Sequence, residues 1–141
     1  MKKDKSRAGG NSTIEELEQK LDSFDSRQRK EAISALLDEF EAGRINLPEP
    51  GTDVNLHCHT FFSYNSYGYS PSKFAYLARK AGLVVAGVVD FDVLDALEEF
   101  LEAAKLLGLK GCAGLETRVI VPEFSTRVMT SPGEPGITYH M

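Results

Sequence analysis

The chain has little of several residue types that mark common functional classes. It contains no tryptophan, two cysteines and three histidines in 141 residues. Two cysteines are not a disulfide framework, so Cys58 and Cys112 are interpreted as reduced thiols of a cytoplasmic protein. No run reaches the roughly 18 apolar residues of a membrane span, so no membrane association is expected. No apolar stretch follows the basic N-terminus, so no secretory signal is predicted.

Basic residues are fewer than acidic ones, 16 against 21. The net charge is −5, and the acidic excess is spread over both halves, so nothing in the composition indicates nucleic-acid binding. Only "MKKDKSR" at the N-terminus is locally basic, and it is interpreted as a solvated terminus. A hydrophobic content of 42% is ordinary for a globular protein of one domain.

The first third of the chain predicts a helical hairpin. Residues 1–11 are polar and predicted to be disordered. In "STIEELEQKL", Thr13 and Glu16 have the spacing of a capping box, and "DSRQRKEAISALLDEFEAG" predicts a second helix that ends near Gly43. The two prolines of "RINLPEPGTD" predict a linker. Residues 12–50 are therefore predicted to be a hairpin and linker that dock on the remainder of the molecule.

From residue 53 the pattern changes to alternating strands and helices. The segments "DVNLHCHT", "LVVAGVVDF" and "LKGCAGLETRVIV" predict strands, and "SPSKFAYLARKAG" and "VLDALEEFLEAAKLLG" predict the helices between them. This α/β order predicts parallel strands with right-handed crossovers. An irregular segment follows, and "ITYHM" predicts a fourth strand. We expect residues 53–141 to be the N-terminal portion of a larger barrel; a small open sheet, complete as it stands, is the alternative.

Two of the three histidines lie one residue apart in the first predicted strand. Residues two apart in a strand point to the same face, so His57 and His59 present two imidazoles together and Cys58 points to the opposite face. Two imidazoles on one face are half of a metal site. An isolated H-x-H pair is more often an ordinary pair of hydrogen-bonding side chains, because metal sites need three or four ligands.

Ionisable residues at the ends of later strands make the metal interpretation stronger. Asp90 and Asp92 end the second strand, Glu116 follows the apolar "CAGL", and His140 lies in the fourth strand. Sites in parallel α/β folds form at the carboxyl ends of strands. A carboxylate among apolar residues is costly unless it is paired or bound to metal. The sequence therefore predicts that these side chains meet His57 and His59.

Five blocks, in order, resemble the polymerase and histidinol phosphatase (PHP) domain family over residues 53–141. They are "LHCHTFFS", "SPSKFAYLARKAGL", "VVDFD", "EEFLEAAKLLGLKGCAGLE" and "TYHM". The resemblance implies a distorted TIM-like barrel of seven βα units, with parallel strands and two or three divalent metal ions at the strand ends. It also implies hydrolysis of phosphoesters, with a small phosphorylated substrate.

The resemblance implies roles for individual residues. His57 and His59 match ligands of the first metal, Glu116 matches a glutamate that bridges two metals, and His140 matches a ligand of the second metal. It implies attack by a metal-bound water rather than by a protein nucleophile. Histidine and carboxylate ligands suit Zn, Mn or Fe.

Departures from the family pattern concern the third metal. Phe91 and Asn65 stand where the family usually has histidines, so we predict at most two metals. Asp90 is predicted to orient a metal-binding histidine through its second ring nitrogen. Asp92 is interpreted as the N-cap of the following helix in preference to a ligand.

Other residues give weaker indications. Arg118 and Arg127 follow Glu116 and are candidates for holding a substrate phosphate, with ordinary surface charge as the alternative. Five aromatic residues follow the H-x-H strand and predict either stacking on a substrate or a local apolar plug: Phe61, Phe62, Tyr64, Tyr67 and Tyr69.

Two rival functions stay open at this stage. A PHP-like scaffold that has lost catalysis and serves as an interaction module fits the missing histidines and the acidic hairpin. A polymerase-associated nuclease is allowed by the family, although the chain has no basic groove.

Overall fold

The computed structural model of the chain describes residues 13–63, 68–130 and 133–140. Four helices lie in these residues: α1 (Ile14–Lys20), α2 (Ser26–Glu41), α3 (Pro71–Lys80) and α4 (Leu97–Leu106). Four strands lie in them as well: β1 (Val54–Cys58), β2 (Val85–Phe91), β3 (Lys110–Ile120) and β4 (Ile137–His140). None of the helices described is long and apolar enough to cross a bilayer.

The strands form one mixed sheet in the order β1-β2-β3-β4. The predicted parallel pairing is confirmed for β1, β2 and β3. It is wrong for β4, which runs antiparallel to β3. A parallel return needs a crossover connection, usually a helix. Between β3 and β4 the described residues contain only the three-residue 3-10 helix Pro122–Phe124, so the chain turns back along its neighbour. Closure into a barrel stays a prediction.

The helix ends follow from local sequence. The capping box predicted at Thr13 is present, with Glu16 Oε2 accepting from the Thr13 N–H at 3.0 Å. Ser70 caps α3, and Pro71 occupies its first turn. Gly43 follows the end of α2 with a φ of 71°, a left-handed conformation that glycine adopts without a steric penalty.

The core lies between the helices and one face of the sheet. Its largest fully buried side chains include Tyr76, Phe100, Leu21, Ile33 and Leu36, so both helices of the hairpin contribute to it. A Cβ added at Gly111 would touch side chains of α4, which shows that the odd-numbered residues of β3 face the helices. The even-numbered residues of β3, Glu116 among them, therefore face away from the helical layer.

A buried ion pair joins the hairpin to the α/β layer. Arg29 of α2 donates from Nε to Glu99 Oε1 of α4 at 2.7 Å and from Nη2 to the other carboxylate oxygen. Ser72, in the first turn of α3, donates its hydroxyl to the same Oε1 at 2.7 Å. The Arg29 side chain is 4% exposed and that of Glu99 is 22% exposed. One carboxylate therefore holds three helices together.

The protonation of Glu99 couples this junction to pH. Burial by itself raises the pKa of Glu99, but the hydrogen bonds from Arg29 and Ser72 outweigh it and leave the pKa below its ordinary value. A carboxyl whose pKa is lower in the folded state contributes stability above its unfolded pKa. That stability is lost as the pH falls through the folded pKa.

Glu99→Ala is expected to lower the free energy of unfolding by about 3 kcal/mol, because it leaves the Arg29 guanidinium buried without its partner. Urea unfolding at neutral pH measures the change. The matched control is Glu102→Ala on the same helix, whose 3.4 Å pair with Lys30 is exposed and contributes about 0–1 kcal/mol. At acidic pH the difference in the free energy of unfolding between wild type and Glu99→Ala becomes smaller. Equal destabilisation by the two substitutions at neutral pH would contradict this account.

Candidate metal centre

The carboxyl ends of β1 and β2 lie beside Glu116, which is inside β3, four residues before that strand ends and not at its end as the sequence indicated. Phe91, the last residue of β2, lies directly opposite Glu116 of β3. Beyond this pair, the Asp92 N–H donates to the Glu116 carbonyl at 2.9 Å. His57 is the penultimate residue of β1, and His59 follows directly after the strand. The parallel register thus places residues far apart in sequence at the same edge, as the sequence predicted.

An irregularity in β1 sets the position of its histidines. The register of β1 against β2 shifts between Asn55 and Cys58, as in a β-bulge. Gly87 of β2 permits the close approach, because a Cβ there would lie 3.0 Å from the Leu56 Cα. Cys58 packs against the core, which confirms that it points to the helical side. His57 and His59 face the other side, with ring centroids 5.3 Å apart.

Both imidazoles converge on one carboxylate oxygen. Nε2 of His57 lies 3.0 Å from Oε2 of Glu116, and Nε2 of His59 lies 3.3 Å from the same atom. One ligand atom from each of these residues lies within 4.8 Å of the others. We refer to His57, His59 and Glu116 as the donor group. Among the described residues, these three are the potential ligands whose spacing could hold a metal ion.

The donor group is open on one side and enclosed on the other. The side chain of His57 is 50% exposed, whereas those of His59 and Glu116 are 21% and 12% exposed. The ring of Phe91 stacks on that of His59, with centroids 4.2 Å apart and planes 16° apart. Phe91 therefore adds a hydrocarbon surface beside the donors. Access to the donors is from the side of His57.

Asp90 lies beneath the donor group and is 2% exposed. Its carboxylate accepts hydrogen bonds from the Thr60 N–H at 2.5 Å, the Thr60 hydroxyl at 2.6 Å and the Ser63 hydroxyl at 2.8 Å. Sequence reasoning expected Asp90 to act on a histidine directly. The Ser63 hydroxyl instead lies between them, 3.2 Å from Nδ1 of His59. Thr60 and Ser63 were missed, although two hydroxyl residues among phenylalanines in "HTFFS" were a usable signal.

Asp92 does not cap the following helix, so that interpretation was wrong. The helix α4 begins at Leu97, and its N-cap residue Ala96 makes no side-chain cap. Asp92 has a φ of 58° and turns its carboxylate toward β3. There it accepts from the Arg118 Nε at 2.8 Å and from the Thr117 hydroxyl at 3.0 Å. The pKa of Asp92 lies below its ordinary value, chiefly because the Arg118 backbone N–H donates to it.

His140 is not brought to the donor group. It lies directly opposite Thr117 in the antiparallel pair, and directly opposed residues share a face. Thr117 and Glu116 are adjacent in β3, so their side chains point to opposite faces. The residue of β4 on the Glu116 face is Tyr139, whose ring contacts that of Phe91 with centroids 5.2 Å apart. The antiparallel direction of β4 thus overturns the predicted placement of His140.

Three other sequence predictions have separate outcomes. Arg118 lies beside the donor group on β3 but is held by Asp92. Arg127 lies beyond β3, with its guanidinium carbon 5.9 Å from the centre of the Phe124 ring. Asn65 lies outside the described residues, as do Tyr64 and Tyr67.

No family model matches the chain, and no curated protein matches it. Among solved structures, it is similar to the crystal structure of a candidate metal-dependent phosphoesterase from Bifidobacterium adolescentis, at 30% identity and a TM-score of 0.46. The match covers 52% of this chain and 25% of that one. The chain thus spans a minor part of that protein, and a TM-score this low does not establish a shared fold.

His140→Ala is expected to change the affinity of the chain for Zn²⁺ by less than about twofold, because a residue without contact to the donors acts independently of them. Titration calorimetry measures the affinity, and His57→Ala is the matched control that removes a donor of the same type. If both substitutions weaken binding equally, β4 does not occupy the position described.

Proposed function

We propose that this chain holds a divalent metal ion through His57, His59 and Glu116 and belongs to a metal-dependent phosphoester hydrolase. The observation that carries the proposal is the approach of two Nε2 atoms to a single carboxylate oxygen, at 3.0 and 3.3 Å. Exposed acidic groups are common on proteins, but Glu116 is buried inside β3, at the residue where the pairing of β3 with β2 ends. A carboxylate in such a place is costly unless it is hydrogen-bonded, paired or bound to a metal ion.

The donors fit a transition-metal ion in type and in spacing. Nitrogen and carboxylate ligands lie about 2.0–2.2 Å from Zn²⁺, so two ligands of one ion lie about 3.0 Å apart at an octahedral angle and about 3.4 Å apart at a tetrahedral one. The separations of 3.0 and 3.3 Å from Glu116 to the two histidines fall in that range. Two imidazoles and a carboxylate suit Zn, Mn or Fe and leave open positions for a substrate or water.

Each residue of the site has a distinct role in the proposed hydrolysis. A divalent ion supplies Lewis-acid polarisation of a phosphoryl oxygen and activation of water at neutral pH. Glu116 supplies the negative charge that retains the ion, and the exposed side of His57 admits a phosphate ester. Phe91 covers one face of His59 and excludes water from it. No protein nucleophile is part of the proposal.

Membership of the PHP family, a closed barrel and a second ion are finer parts of the proposal. They are supported by the five sequence blocks and by the donor group. Asn65 and Phe91 support two ions rather than three, because a phenyl ring cannot coordinate a metal. A small phosphorylated compound is the proposed substrate.

A metal-binding scaffold without catalysis is the second candidate. It is favoured by Phe91, which places a hydrocarbon ring where a further ligand is expected. Such a protein binds metal with the same residues but turns over no ester. Metal content and turnover therefore have to be measured separately.

Glu116→Gln is expected to weaken Mn²⁺ or Zn²⁺ binding more than about 100-fold. Substitution of a residue that only hydrogen-bonds to a metal ligand lowers metal affinity about 10–100-fold, and Glu116 is itself a proposed ligand. Equilibrium dialysis with elemental analysis of the purified protein measures the bound metal. Glu102→Gln is the matched control, because it makes the same change on an exposed helix surface. Unchanged affinity in Glu116→Gln would refute the metal site.

Turnover is tested on the full-length protein with a panel of phosphate mono- and diesters. The hydrolase proposal expects activity that Mn²⁺ or Zn²⁺ restores after chelation and that Glu116→Gln abolishes. Stoichiometric metal without turnover of any ester supports the scaffold instead.

A further inference from the structure

Ser63 links the donor group to the buried carboxylate beneath it. Ser63 is 5% exposed, and its hydroxyl oxygen has three polar neighbours. These are Asp90 Oδ1 at 2.8 Å, the Phe91 N–H at 3.0 Å and His59 Nδ1 at 3.2 Å. A hydroxyl has one proton and two lone pairs, so three partners occupy it completely.

The direction of each hydrogen bond follows from what the partners are able to donate. The Phe91 N–H donates, which uses one lone pair of Ser63. The Asp90 carboxylate only accepts, and its contact with Ser63 is the shortest of the three, so it takes the hydroxyl proton. Ser63 then has one lone pair left for His59. Nδ1 of His59 must therefore carry a proton and donate it.

This assignment determines the chemistry of the other ring nitrogen. A neutral imidazole with a proton on Nδ1 has a lone pair on Nε2. Nε2 of His59 lies 3.3 Å from Glu116 Oε2, so two acceptors face each other across that gap. Two lone pairs at this distance repel unless a cation lies between them. The tautomer set by Ser63 is thus the one that presents a metal ligand.

We propose that Ser63 is a positioning residue that fixes the tautomer of His59, with Asp90 as its anchor. The stacking of Phe91 holds the plane of the imidazole ring, and the Ser63 hydroxyl sets its rotation within that plane. Thr60 in turn holds Asp90 through its N–H and its hydroxyl. The functional role of this arrangement rests on the proposed metal site, whereas the hydrogen bonds of Ser63 do not depend on it.

Removal of the Ser63 hydroxyl has a specific consequence for the proton of His59. Without an acceptor at Nδ1, the imidazole prefers its proton on Nε2, as a free histidine side chain does. That proton then donates to Glu116 Oε2 across the gap that a metal would occupy. A metal ion would have to displace it, so binding weakens although all three ligands are still present.

The experiment is ¹⁵N NMR of the imidazole groups in metal-free protein, at a pH at which the ¹⁵N spectrum itself shows neutral rings. Wild type is expected to show His59 protonated on Nδ1, and Ser63→Ala is expected to show the proton on Nε2. The matched control is Thr60→Val, which removes the other hydroxyl that donates to Asp90 and leaves the Ser63–His59 contact in place. Its His59 should keep the wild-type tautomer.

Wild-type His59 with its proton on Nε2 would overturn the proposal without need of any variant. An unchanged tautomer in folded Ser63→Ala would overturn it as well. Ser63→Thr, which keeps the hydroxyl, is expected to retain the wild-type signal.

Metal affinity gives a second readout. Ser63→Ala should weaken Zn²⁺ binding about 10–100-fold, and Thr60→Val should weaken it much less even if it destabilises the fold equally. Equal affinities in the two variants would exclude the positioning role. Loss of binding in Glu116→Gln tests the metal site itself, so the failure of one proposal is distinguishable from the failure of the other.

Discussion

The parallel register of β2 and β3 is the constraint on which the candidate site depends. It sets Phe91 opposite Glu116, and the Asp92 N–H continues the pairing to the Glu116 carbonyl. A shift of one residue would turn the Glu116 carboxylate toward the helices, since alternate residues of a strand face opposite sides. The same register holds the Phe91 ring against His59. The histidines meet a carboxylate because β1 and β2 end where the pairing of β2 with β3 reaches Glu116.

Stability and site chemistry are carried by opposite faces of the sheet. The helical side contains the core and the Arg29–Glu99 junction, which ties the hairpin to α3 and α4. The other side carries the donor group on a surface with few buried apolar residues, and Val54 and Ile120 are exposed. The strong packing under the strands allows their ends to hold polar and charged groups in defined positions. Asp90 and Ser63 connect the two sides, because they are buried yet reach the imidazole of His59.

Much of this arrangement was predictable because it depends on local periodicity. The alternation of β1 places His57 and His59 together, and the apolar run before Glu116 predicts a strand that carries a carboxylate, although β3 continues past Glu116 to Ile120. Capping at Thr13 and Ser70 also follows from nearby residues. The misses have a different origin. Asp92 was taken for a helix cap because its neighbours suit one, but Arg118, 26 residues away, is its partner.

The sequence by itself determined the elements and the residues that carry the chemistry, because helix and strand periods and the cost of a buried carboxylate are local properties. Only the tertiary structure decided which of these residues meet. The direction of β4 placed His140 on the face opposite to Glu116, and the β1 bulge against Gly87 set the spacing of the imidazoles. The place of Ser63 between Asp90 and His59 is likewise a contact between strand ends. No short segment contains that information, since it depends on register and strand direction across the sheet.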